Sequence, residues 1–523
     1  MHTIYDEIII GSGFGGSVAA YHLAKKDRKV LLLERGPWRD TRDTRMMGIE
    51  RSSAFPAGRY FYTHIVNRLS APWLPKSGIK VNKKGLFDIH YDKDMSIVCS
   101  SGVGGGSHVY SAMNVRPAVA GFWDGHVAGI SEATMEPHYK WMINKLGAQA
   151  PSMTDNIPNF VGQRYADSEH FIADESVEQP AMSMNFSEDP ENFKNNSFFG
   201  SAKGAKATLD VVLLGPAIKS GLELIAEHEC KGIYRVDGDT EYSHTYRLEV
   251  LDHTSNILKY FLTKKVILAA GTLNTQRLLN QSCDNGGLAE MPALGKGLGG
   301  NGDFPAYWAV NEKGSDLSIG TPTHGRFELK NYPLNSDEVN DQKTACPNLT
   351  EYGLSGIDGV PLPISSIRKR LKSDLVLVGM GADAADGVFT WKKGRLRTRY
   401  IQKNSPIFKE IIAAFKEITR RTGKKVWFTD KILLTVHPLG GARLADNSQL
   451  GVVNNNGEVY GNSGLYIVDA SVLPAAPGSP PSMTIAAWSR HVSQTLMAGK
   501  NSVISNNEHN TKIKKEAKEY EII

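Results

Sequence analysis

Cysteine is scarce in this chain. Four occur among 523 residues (Cys99, Cys230, Cys283 and Cys346), at spacings that suit neither a disulfide framework nor a metal site. A reducing compartment is therefore expected, and no bound metal. Long apolar runs are missing too, so no segment is expected to span a bilayer. Nor is there an excess of one charge: 60 basic against 55 acidic residues leave +5 spread along the chain, which argues against a nucleic-acid partner. There is no internal repeat. The first strand pattern begins within a few residues of Met1, which leaves no space for a secretory leader, and the expected location is cytoplasmic. At this length two or more domains are expected.

What is present starts with Ile8-Ile9-Ile10-Gly11-Ser12-Gly13-Phe14-Gly15-Gly16, a buried-strand run feeding into Gly-x-Gly-x-x-Gly and then a helix pattern. Gly11 suits a tight turn, Gly13 lets backbone approach a pyrophosphate, and Gly16 lets helix and strand pack closely. Val30 to Leu33 reads as a second strand, and it ends in Glu34 where a ribose-binding carboxylate is expected. Strand, glycine turn, helix, strand and acid in this order predict a dinucleotide, without choosing between NAD and FAD.

Arg35 to Gly85 is rich in Arg, Pro and aromatics and has no clean period. It reads either as a long excursion covering a cavity or as a lid that touches a lipid surface transiently and admits an apolar ligand. Ser101 to Tyr110 carries Gly104-Gly105-Gly106, which suits close approach of backbone to a flat ligand. Ala217 to Glu227 reads as a helix, Gly232 to Val236 and Tyr246 to Leu251 as strands, and Val266 to Thr272 as a buried strand with Ala269-Ala270-Gly271 at its tip. Asp374 to Met380 and Gly387 to Trp391 read as antiparallel strands of one sheet, and Phe408 to Arg420 as an amphipathic helix. Near the C-terminus, His437 ends a short apolar strand before Pro438-Leu439-Gly440-Gly441, and Asp469 ends another. Gly478-Ser479-Pro480-Pro481-Ser482 then opens a helix whose N-terminus suits an anionic group.

Taken together, the Gly11–Gly16 turn with Glu34, the Ser101–Ser107 run, the Val266–Leu279 block, His437–Gly441 and Leu465–Ile485 resemble the glucose–methanol–choline oxidoreductase family, especially its cholesterol-oxidase-like bacterial branch. The resemblance implies an α/β fold: a Rossmann-like FAD-binding domain built from 1–40, 213–303 and 448–500. It also implies an α+β substrate domain with an antiparallel sheet from 41–212 and 304–447; the Asn-, Lys- and Glu-rich composition of 501–523 by itself predicts a mobile tail. It implies non-covalent FAD held by Gly11, Ser12, Gly13, Phe14, Gly15, Gly16, Glu34 and Arg35, and by Gly105, Gly106, Ser107, Tyr110, Ser111 and Met113. Cys230, Ala270, Asp469, Pro481 and Ser482 complete that implied set. His437 is the implied catalytic histidine, assisting hydroxyl deprotonation while hydride passes to flavin N5, and Glu351 falls where the sterol branch carries a second catalytic carboxylate. The implied partners are a hydrophobic, sterol-like or long-chain alcohol and O2 or another electron acceptor.

Three departures stand out. Pro480 replaces an asparagine that would donate to the substrate oxygen, and proline has no such donor. Tyr110 and Ser111-Ala112 replace the sterol branch's Asn and Gly-Gly, and His108 lies one residue from where some relatives attach FAD covalently. Without the asparagine, two alternatives to alcohol oxidation stay open: a flavoprotein isomerase or lyase acting on an apolar substrate, and a non-catalytic lipid-binding protein.

Overall fold

The computed structural model describes residues 3–173, 180–186, 193–194, 198–236, 245–332, 347–354, 360 and 365–498. The C-terminal tail singled out above lies outside them.

A seven-stranded sheet carries the N-terminal motif. Its strands are β1 (Ile4–Ile10), β2 (Val30–Leu33), β3 (Glu223–Ile225), β4 (His228–Arg235), β5 (Tyr246–Asp252), β6 (Ile257–Leu268) and β7 (Leu465–Ile467). They lie in the order β3-β2-β1-β6-β5-β4, with β7 also paired to β6. β1, β2, β3 and the second half of β6 run parallel, and β7 pairs parallel along Val266–Leu268. Parallel strands of this kind are buried on both faces, which is why Ile8–Ile10 of β1 and the whole of β2 are continuous apolar runs rather than alternating ones. Helix α1 (Phe14–Leu23) returns from β1 and is buried on nearly every side, so its sequence is apolar all round. Ile8, Ile9, Leu31 and Leu32 are fully buried in this core, each contributing about 1.5–3 kcal/mol.

One expectation is corrected here. The helix read at 217–227 ends at Lys219, where Gly215–Lys219 continues the π-helical Asp210–Leu214, and is followed by strand β3 beside β2. Gly221, at φ +109°, breaks the run, and Leu224 and Ile225 gain more from pairing at the sheet edge than from continuing a helix.

The second large sheet is antiparallel and six-stranded, in the spatial order Val426–Trp427, Phe304–Trp308, Leu375–Met380, Asn348–Gly353, Gly325–Leu329, Phe171–Ala173. Its centre follows strict alternation. Leu375 and Leu377 join Ile411, Phe415 and Ile418 of the helix Ile407–Thr422 in one core, and a Cβ on Gly379 would lie 2.4 Å from Ile411 Cγ2. Val376, Val378 and Met380 point the other way, into a cavity. Gly387–Lys392 does not join this sheet as expected. It pairs with Arg395–Arg399 and Lys296–Leu298 in a separate three-stranded sheet. No helix among the described residues is long and apolar enough to cross a membrane.

Candidate active site

One cavity of about 1010 Å³ runs from the tips of β1 and β2 to the underside of the antiparallel sheet, at the top of the size range usual for ligand sites. The glycine turn forms one end. Gly11 sits at φ +99°, and a Cβ there would lie 2.4 Å from the Ala269 carbonyl oxygen. On Gly15 it would strike Val468 O at 2.1 Å, and on Gly16, Gly11 O at 1.9 Å. Protein backbone thus fixes these three as glycine. Gly13 differs: a Cβ on it would meet nothing within 4 Å, so its freedom serves something other than the protein's own packing. Gly105, at φ +52°, lies against it, with a Cβ 2.6 Å from Gly13 Cα, and ties the second glycine run to the first.

Glu34, at the end of β2, accepts from Ser12 N at 3.0 Å, Ser12 Oγ at 2.6 Å and Gly36 N at 2.7 Å. Its carboxylate is oriented by the turn it serves and keeps lone pairs for a further donor. Arg35 beside it pairs with buried Asp88 at 2.5 Å. At the far side, Asp469 accepts from Gly271 N at 3.0 Å, Thr275 Oγ1 at 2.5 Å and Ser471 Oγ at 2.6 Å. Burial raises its pKa against these hydrogen bonds. Ser482 opens the helix 482–498, and its Oγ is buried without a hydrogen-bond partner while the residue lines the cavity. An unpaired buried hydroxyl at a helix N-terminus is a costly arrangement unless a ligand acceptor meets it.

His437 lies between these ends on the cavity wall, its side chain 23% exposed. Nδ1 is 2.8 Å from Asp303 Oδ1. The other carboxylate oxygen, Oδ2, accepts from Thr435 Oγ1 at 2.9 Å, Val436 N at 3.0 Å and His437 N at 3.2 Å. A carboxylate so supplied with donors is an acceptor toward Nδ1, so Nδ1 carries the ring proton and Nε2 is the basic nitrogen. Thr272 Oγ1 holds Pro438 O at 2.7 Å and secures the turn behind the ring.

The structure brings Gly11, Ser12, Gly13, Phe14, Gly15, Glu34, Arg35, Gly105, Gly106, Tyr110, Ser111, Cys230, Ala270, His437, Asp469, Pro481 and Ser482 to one cavity wall. It leaves Gly16, Ser107, Met113 and Glu351 off that wall. Gly16 packs helix on strand, and Ser107 Oγ bonds Gly104 O at 2.8 Å and Leu209 N at 3.0 Å, securing the loop from behind. Met113 is wholly buried.

The expected second carboxylate is corrected by strand parity. Glu351 pairs with Leu377, whose side chain faces the core, so both point away from the cavity. There Glu351 receives Arg164 and the Tyr165 hydroxyl, the latter at 2.7 Å. Its neighbour Tyr352, opposite Val376, is the one that faces the cavity. His108 is likewise turned away: Nε2 bonds Val103 O at 2.8 Å, and the ring packs on Phe55 at 5.5 Å. Sequence reasoning missed Asp303 and Tyr352. Asp303 follows Gly299-Gly300-Asn301-Gly302, a small-residue run that could have marked a backbone turned tightly around something.

The residues fit an extended dinucleotide. Gly13 leaves open space at the uncapped N-terminus of α1, Glu34 is held by Ser12 and Gly36 with lone pairs to spare, and Ser482 Oγ is buried without a hydrogen-bond partner.

Comparison with known proteins agrees. Two GMC oxidoreductase family models match, an N-terminal one over residues 5–299 and a C-terminal one over 379–489. A cholesterol oxidase of Mycobacterium tuberculosis is 27% identical, the match covering 93% of this chain and 90% of that protein. A long-chain-alcohol oxidase of Arabidopsis thaliana is 22% identical, over 94% of this chain and 67% of its own. Among solved structures, a fungal aryl-alcohol oxidase superposes with a TM-score of 0.55 at 14% identity, covering 94% and 99% of the two chains, a likeness of fold alone.

Proposed function

The chain belongs to the GMC oxidoreductase family, and on that premise we propose that it oxidises a hydrophobic alcohol, sterol-like or long-chain, to the ketone or aldehyde. The family makes it an FAD-dependent oxidoreductase acting on alcohols. In the proposed arrangement the FAD is non-covalent, a reading favoured by His108 being turned away from the cavity.

The observation that carries the reading is the His437–Asp303 pair opening onto a cavity roofed by Val376, Val378 and Met380. Bound FAD supplies a two-electron acceptor for the carbinol hydride. The chain's own work is to bind, orient and deprotonate. The apolar roof takes the hydrocarbon body and excludes water. Nε2 of His437 accepts the hydroxyl proton, and Asp303 stabilises the imidazolium that forms. The glycine turn, Glu34 and the N-terminus of the helix 482–498 would hold the cofactor, and in this reading 1–40, 213–303 and 448–500 form the FAD-binding domain while 41–212 and 304–447 form the substrate domain.

The proposed substrate arrives from a lipid surface. Arg51 to Phe87 contains seven Lys or Arg residues and no Asp or Glu. Trp73 and Val81 are 71% and 58% exposed there, while Ala71, Pro75 and Lys76 border the cavity. Basic and apolar groups side by side suit transient contact with an anionic bilayer.

The test is anaerobic mixing of the purified holoenzyme with a panel of sterols and long-chain alcohols. We expect the flavin absorbance to bleach as ketone or aldehyde appears, and readmitted air distinguishes O2 from another acceptor by whether colour returns. Conversion of an apolar substrate with no bleaching would instead favour an isomerase or lyase.

A further inference from the structure

Pro480, where the family resemblance implies an asparagine donor, lines the cavity and has neither a side-chain donor nor an N–H. A lone histidine can take the proton, but the oxygen also needs a donor as its charge builds. Tyr352 is the candidate that the sheet supplies. Antiparallel pairing sets Tyr352 opposite Val376 and Thr350 opposite Val378, the face that borders the cavity. Tyr352 is 3% exposed, its ring flanked by Phe198 at 4.9 Å. The hydroxyls of Thr350, Thr323 and Ser111 lie beside its phenol, and Asp303 is a nearby charge. Thr350 is two residues back along the same face, so the phenol leans toward the row that ends at Pro305, beside Asp303 and hence His437. Ser111 belongs to the loop that borders the cavity from below.

We propose that Tyr352 is the second hydroxyl-binding group of this site, donating its phenolic hydrogen bond to the substrate oxygen whose proton passes to His437. The proposal rests on the alcohol-oxidation reading. In the step, the O–H proton goes to His437 Nε2, the carbinol C–H electron pair leaves as hydride to the bound FAD, and the phenol keeps its proton throughout. Burial and Asp303 both favour that neutral phenol, raising its pKa. The surrounding hydroxyls let the phenol exchange one partner for another without leaving a buried donor unmet.

The experiment compares wild type with Tyr352→Phe, which keeps the ring and removes only the hydroxyl. Anaerobic flavin bleaching is followed with an alcohol that reduces the wild type, across pH 6–9, and flavin content and melting temperature report the fold. We expect a roughly 10- to 100-fold slower limiting bleaching rate at equal flavin content, with the pH profile keeping its shape because His437 is untouched. Adding Pro480→Asn to the variant is expected to restore part of the rate by returning a donor. Equal bleaching rates in wild type and Tyr352→Phe would overturn the assignment and leave alcohol oxidation standing. A wild type that no alcohol bleaches would overturn both, since Tyr352 would then have no hydroxyl to serve.

Discussion

Asp303 decides which nitrogen of His437 is basic, and a single-atom change shows how tightly. In Asp303→Asn the amide must face the ring with either its oxygen or its NH2. With oxygen toward Nδ1, the NH2 confronts the N–H groups of Val436 and His437: Val436 N then loses its acceptor, while His437 N keeps only Thr435 Oγ1 at 2.9 Å. With NH2 toward Nδ1, the ring proton is driven to Nε2 and the base is lost. We expect kcat/KM to fall by about 10²-fold or more while flavin absorbance is retained, checked by steady-state kinetics on the flavin-loaded variant. His437→Ala is expected to lose about 10²- to 10⁴-fold with the same flavin content. His437 was readable in the sequence because Pro438 and two glycines fix a turn behind it. Asp303 was not: it sits 134 residues away, and no local spacing announces a carboxylate that acts by receiving another loop's N–H groups.

At the scale of elements, the glycine turn separates packing from binding. Gly15→Ala drives a methyl into the Val468 carbonyl, whereas Gly13→Ala meets only open space. The first is expected to cost about 1–3 kcal/mol of stability, read as a lower urea midpoint. The second is expected to leave that midpoint unchanged for the flavin-free protein and to weaken FAD retention, read by flavin lost on dilution. The motif was legible because its glycines answer to backbone contacts a few residues away. Strand parity was not. Glu351 and Tyr352 are adjacent in sequence, yet one faces a salt-bridged core and the other the cavity, and only the register with Leu377 and Val376 tells them apart. The strand at Glu223–Ile225 was missed for a similar reason, since three residues gain their identity from the edge of β2 rather than from their own period.

Across the whole molecule, buried neutral histidines set the acid limit. His90 and His324 are both pushed down to about 3, chiefly by burial, with Arg277 repelling a proton on the first and Arg164 on the second. The unfolded chain protonates them near 6.5, the native state near 3. Their full contribution is therefore present above 6.5 and is lost as pH falls below it, each adding up to about 1.4 kcal/mol per pH unit. Urea midpoints are expected to drop between pH 7 and pH 5, and the drop is expected to shrink in His90→Gln. A titration that stays flat over that interval would contradict this account.

The order of strands has a consequence in time. The glycine turn follows β1, yet β6 beside it is flanked on its other side by Leu465–Ile467, and the carboxylate of Asp469 comes later still. A ribosome adding about 5–20 residues per second spends of the order of 10–40 s on the roughly 200 residues between those two partners. Throughout that interval the Val266–Leu268 edge has no partner and Asp469 is missing from the cavity wall, so the emerging chain is expected to hold a nucleotide weakly. Flavin capture is therefore expected at the end of synthesis, when free FAD meets an almost finished protein rather than a nascent one.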